Sequence, residues 1–108
     1  MSIRLKTALT VHSVLGVTGL VLLLASLLFT RSSYQMTCIA FAFGILGIAF
    51  FLNGYLGTRY GKMHMQIGSV ISRSSRGEKM FKMDIVVQFI AAILSLSIAF
   101  GLLHKMLQ

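Results

Sequence analysis

Three stretches of 20 residues or more carry no Asp, Glu, Lys or Arg: residues 7–30, 32–58 and 85–104, which are 24, 27 and 20 residues long. Within them Leu, Ile, Val, Phe, Ala and Gly follow one another with few polar interruptions. A helix crosses a hydrocarbon core of roughly 30 Å with about 20 apolar residues. The pattern therefore predicts three transmembrane helices, at about residues 8–29, 36–56 and 85–103. In lipid every backbone polar group must pair within its own segment, so these spans are expected to be helical despite their Val, Ile and Phe. The chain has no Pro, so nothing in it predicts a proline kink.

The short polar connection at residues 30–35 predicts that the first two spans form an antiparallel hairpin. The connection at residues 57–84 is longer. In its first half Tyr60, Met63, Ile67, Val70 and Ile71 recur at helical spacing, with Lys62, Gln66, Ser69 and Arg73 between them. That pattern predicts an extension of the second helix or an amphipathic helix on the membrane surface. Residues 72–77, S-R-S-S-R-G, are expected to form the turn into the third span. The whole chain, 1–108, reads as one membrane domain of the all-α integral class.

Small and polar residues form a stripe along each span. His12, Gly16, Gly19, Ser26 and Thr30 lie on the first, and Ala40, Gly44, Gly47, Gly54 and Thr58 on the second. Gln88, Ala91, Ala92, Ser95 and Ala99 lie on the third. Spacings of three and four put each set on one helix face. Small residues let membrane helices approach closely and gain van der Waals contact. Gly16, Gly19, Ala40, Gly44, Gly47, Gly54, Ala91, Ser95 and Ala99 are the expected packing positions. His12, Asn53 and Gln88 are the candidates for a polar site inside the membrane.

Composition agrees with the pattern: 56% of residues are hydrophobic and only 11% charged. A soluble globule of 108 residues could not hide this much apolar surface behind so few charges. The net charge of +8 is unevenly placed. Arg4 and Lys6 precede the first span, and Arg59, Lys62, Arg73, Arg76, Lys79 and Lys82 lie in the second connection, whereas the opposite side has Arg31 and Lys105. The positive-inside rule predicts a cytoplasmic N-terminus, a cytoplasmic loop at residues 57–84 and an outside C-terminus. The six basic residues of that loop are expected to meet anionic lipid head groups. Nothing resembling a zinc finger, recognition helix or aromatic RNA platform accompanies them, so no nucleic-acid partner is expected. The first apolar run exceeds the 7–15 residues or so of a signal-peptide core, so an uncleaved span is expected. The location predicted is the cell membrane, the cytoplasmic one in a bacterium, with several passes.

The side chains exclude much chemistry. Glu78 and Asp84 are the only carboxylates, both beside basic residues in the second connection. No carboxylate lies within a span, which argues against an ion-coupled transporter; the small multidrug transporters resemble this chain only in length. His12 is the one ionisable side chain well inside a span, and on the small-residue stripe it reads first as a packing residue with a polar contact. Lys62-Met63-His64-Met65 invites a copper reading, since thioether and imidazole suit Cu(I). Three adjacent side chains on a helix do not converge, however, and no second cluster of clear spacing supports it. Cys38 is the single cysteine and can form no internal disulfide. No phosphate loop or catalytic triad is present.

The expectation is a non-enzymatic protein without cofactor or metal. It would act by helix packing as an accessory subunit, regulator or immunity-type partner of a larger membrane protein, or as a homo-oligomer. The alternatives are a holin-like self-assembling pore and a small carrier of a lipid or hydrophobic solute.

Overall fold

The computed structural model describes residues 3–29, 32–66, 69–72 and 77–107. Three long helices dominate it: α1 (Ile3–Ser26), α2 (Ser32–Tyr60) and α3 (Glu78–Leu107). All three are long and apolar enough to cross a membrane. α2 outruns its predicted span by four residues at each end and α3 by seven and four, whereas α1 starts five residues before its predicted span and ends three residues short of it. At 1.5 Å per residue the 30 residues of α3 reach about 45 Å, well beyond a hydrocarbon core. Charge limits the apolar span but does not stop a helix, so α1 begins before Arg4 and Lys6, and α3 before Lys79 and Lys82.

The helix ends follow ordinary rules. Past Ser26, the amides of Leu27, Leu28 and Phe29 each bond a carbonyl three residues back, tightening the last turn of α1. Gly61, at φ 69°, ends α2 in the left-handed conformation, and its amide bonds the Gly57 carbonyl. Glu78 opens α3, where a negative charge suits the helix dipole. Thr10, Thr37 and Thr58 each donate their hydroxyl to the carbonyl four residues back, so these groups are satisfied within their own helices.

α2 is the central helix, with α1 and α3 both antiparallel to it. Along α1 the contacts run from Leu5 and Leu9 against Leu56, through Gly19 against Leu46, to Cys38 Sγ, which donates to the Leu22 carbonyl at 3.1 Å. Along α3 they run from Gly57 against Ile85, through Gly54 against Phe89, to Gly47 against Leu96. The outward faces are apolar, as lipid contact requires: Val14, Val21 and Leu24 of α1 and Val87, Ile93 and Leu94 of α3 are exposed.

The connection between α2 and α3 differs from its expectation. Among the described residues of 62–72 there is no amphipathic helix. Lys62–Gln66 (β1) and Ser69–Ser72 (β2) pair as an antiparallel hairpin, with Met63 opposite Ile71 and His64 opposite Val70. The register shifts between His64 and Gln66, so Met65 is the extra residue of a bulge. The physical reason is backbone chemistry. Gly61 has already ended the helix, and the β-branched Val70 and Ile71 suit a strand. The hairpin also folds back against α2, burying both Met63 and His64. The turn expected at residues 72–77 lies mostly outside the described residues, as do Thr30 and Arg31 of the first connection.

Candidate functional site

The polar site inside the bundle is built from three elements. Leu5, Leu9 and His12 follow one another at spacings of four and three, so His12 continues the face by which α1 packs on α2. Asn53 lies two turns before the end of α2 and is 2% exposed. His64 comes from β1 and is also buried.

Asn53 holds the backbone of β1. Its Nδ2 donates to the His64 carbonyl at 2.8 Å, and the His64 amide donates to its Oδ1 at 2.8 Å. In an antiparallel pair alternate residues turn their amide and carbonyl away from the partner strand. His64 does so here, and the Asn53 carboxamide takes the place of a third strand. A buried strand residue needs partners for its amide and carbonyl, and Asn53 supplies both.

The His64 side chain reaches the other way. Its Nδ1 lies 2.7 Å from Nδ1 of His12, with ring centroids 4.8 Å apart. This is a hydrogen-bond distance. Two nitrogens bound to one tetrahedral zinc would stand roughly 3.3 Å apart, so the pair as placed is not a metal bite. Among the described residues no group of three or more His, Cys, Asp or Glu could hold a metal ion. Burial pushes the His64 pKa below the ordinary histidine value.

Of the three expected polar-site residues, the structure joins His12 and Asn53, each through His64. Gln88, partly exposed on α3, is not hydrogen-bonded to them. His64 is the member missed by sequence reasoning. Its signal was its place: it follows the second span closely, on the side of the membrane from which His12 is one turn deep. As for the copper motif, successive strand side chains point to opposite faces. Met63 accordingly packs against Gly57 while His64 meets His12.

Most expected packing residues sit at helix contacts. A Cβ added at Gly19 would lie 2.6 Å from Leu46 Cγ, and one at Gly47 2.7 Å from Leu96 Cγ; at Gly54 it would be 3.0 Å from the Phe89 ring. Ala40, Ser95 and Ala99 are buried. Two positions lie away from the contacts within the chain. Nothing lies within 4 Å of the Cβ position at Gly16, because three residues before Gly19 the helix points about 60° to one side of that contact. Ala91 is half-buried, and its neighbour Ala92, at spacings of three and seven from Ser95 and Ala99, takes the packing position at 1% exposure. At Gly44 the nearest atom to an added Cβ is that of Ala99, 4.0 Å away. Gly44 lines an apolar groove of about 280 Å³ between α2 and α3, with Ala40, Phe41, Ile48, Leu96 and Phe100 among its walls.

The basic residues gather at one end. The start of α1, the end of α2 and the start of α3 coincide there, which brings together Arg4, Lys6, Arg59, Lys62, Lys79 and Lys82. Lys82 pairs loosely with Glu78 in solvent at 3.9 Å. Arg73 and Arg76 lie outside the described residues. Compared with known proteins, the chain matches no family model, no curated sequence and no solved structure.

Proposed function

We propose that this multi-pass protein sits in the cell membrane with its hairpin end in the cytoplasm and its C-terminus outside. There it acts without catalysis, as an accessory subunit or regulator of a larger membrane protein, one of whose transmembrane helices docks in the α2/α3 groove. The charge distribution supports the orientation, and the basic end suits anionic head groups. The observation that carries the docking reading is the groove itself. Gly47 and Gly54 are covered within the chain by Leu96 and Phe89, whereas Gly44 is left open on the same helix. A floor of Ala40, Gly44 and Ala99 between ridges of Phe41, Ile48 and Phe100 is the surface a packed helix requires. A flexible acyl chain has no need of so small a floor.

A photo-crosslinking side chain placed at Phe100, with one at Val14 as control, tests this in native membranes. The reading expects adducts from position 100 to map to a transmembrane segment of one larger protein, and to disappear in Gly44→Leu, which fills the groove. Adducts with a second copy of this chain, or with lipid alone, overturn it.

A further inference from the structure

The bond between His12 and His64 joins the same atom of two identical rings. A neutral imidazole carries one ring proton. The rings must therefore hold opposite tautomers, one presenting Nδ1–H and the other a lone pair at Nδ1. A first added proton goes to the free Nε2 of the donor ring. The bond survives and becomes charge-assisted. A second proton has only the accepting Nδ1 lone pair to go to. Taking it there removes the acceptor, sets two N–H groups against each other and places two cations side by side.

The bond also joins two elements that the rest of the site does not join. Asn53 holds β1 to α2 through backbone bonds, which no imidazole protonation removes. The His12 side chain holds β1 to α1. We propose that His12 and His64 form a proton-binding latch, which takes up one proton with the hairpin clasped to α1 and releases α1 on taking up a second.

The surroundings bear on the second proton. His64 faces His12 from α1, the uncharged Asn53 from α2 and Val70 from β2, with Lys62 on its own strand face. His12 faces His64 from β1, and the α2 surface packed beside it on α1 brings Leu52, Leu56 and Tyr60. Arg4, Lys6 and Arg59 stand at the same end of the bundle and oppose further positive charge, and from α3 come Lys79, Lys82, Glu78 and Asp84. Burial of His64 favours its neutral form.

The test uses the full chain in lipid nanodiscs with ¹⁵N-labelled histidine, followed from about pH 8 to about pH 4. The latch predicts a scalar coupling between the two Nδ1 atoms at high pH, its survival through a first protonation and its loss with a second. In the same interval, amide protection of β1 and of the first turns of α1 should fall by roughly tenfold. His12→Asn keeps a polar atom at the Nδ1 position but leaves one titrating ring, so its protection should fall with acid by clearly less than that of the wild type. If that variant does not assemble, the wild-type coupling decides. Independent titration of the two histidines without coupling at any pH overturns the latch, as does unchanged protection once both rings are charged. An equal acid response in His12→Asn overturns it too.

Discussion

The side chain of Asn53 and the backbone of His64 close a ring of two hydrogen bonds, each 2.8 Å long, between α2 and the hairpin that follows it. The His64 amide and carbonyl point away from β2, so without Asn53 both are left buried and unpaired. Leaving a buried polar group unsatisfied costs about 1–3 kcal/mol. Asn53→Ala is therefore expected to destabilise the hairpin by about 2–4 kcal/mol, and Asn53→Asp, which loses the donor and sets a buried carboxylate against the His64 carbonyl, by at least as much. Amide exchange at His64 and Ile71 measures it. Unchanged protection in Asn53→Ala would mean that the hairpin is held by the burial of Met63 alone.

Gly47 and Gly44 lie three residues apart on α2 and are expected to respond oppositely to one methyl group. At Gly47 the methyl meets Leu96 Cγ at 2.7 Å and the Ala92 carbonyl at 3.3 Å, so α3 must shift. Overpacking of this kind costs about 1–3 kcal/mol. At Gly44 the methyl lies 4.0 Å from that of Ala99, an ordinary contact. Denaturation of the two alanine variants in mixed micelles, followed by helicity, compares them. Equal behaviour would show that α2 and α3 can separate at Gly47 without loss.

The three spans were legible in the sequence because lipid penalises charge, and the gaps between charged residues carry that penalty directly. The helix ends were less legible. Lys6 or Lys82 marks where the apolar run ends, and the hydrogen-bonded backbone continues past both. The hairpin was misread for a specific reason. Tyr60, Met63, Ile67, Val70 and Ile71 satisfy a helical period, but Gly61 precedes nearly the whole run and ends the helix before the period can act. His64 was legible only as part of a methionine-flanked motif. Its contact with His12 spans 52 residues and depends on the hairpin folding inward, which no local pattern records.

Acid is expected to weaken the fold through His64. Its folded pKa lies below the ordinary 6.5, because burial penalises the charged ring. Between those two values the unfolded chain binds a proton that the folded chain does not. Stability therefore increases with pH across this interval. The contribution is complete above about pH 6.5 and is lost as pH falls through the folded value. Unfolding free energies at several pH values should show a loss on the acid side that is reduced in His64→Asn. A loss of the same size in both proteins would assign the acid sensitivity to other groups.

Orientation is open to a test that uses a residue already in place. Cys38 lies near the start of α2, at the end of the bundle away from the hairpin, and its thiol is half-buried against the Leu22 carbonyl. If the basic end faces the cytoplasm, a membrane-impermeant maleimide added to intact cells should label Cys38 slowly, and prior opening of the membrane should add little. A cysteine introduced at Lys62 in a Cys38→Ala background should behave in the reverse way, unlabelled in intact cells and labelled once they are opened. Reporter fusions at Gly77 and Gln108 supply an independent reading, cytoplasmic at the first and outside at the second. The two approaches fail differently, since a fusion can drag a weakly inserted helix with it while a single cysteine cannot. Labelling at position 62 in intact cells, together with a cytoplasmic reporter at Gln108, would invert the orientation. The clustered Arg and Lys residues would then need an explanation other than retention on the cytoplasmic side.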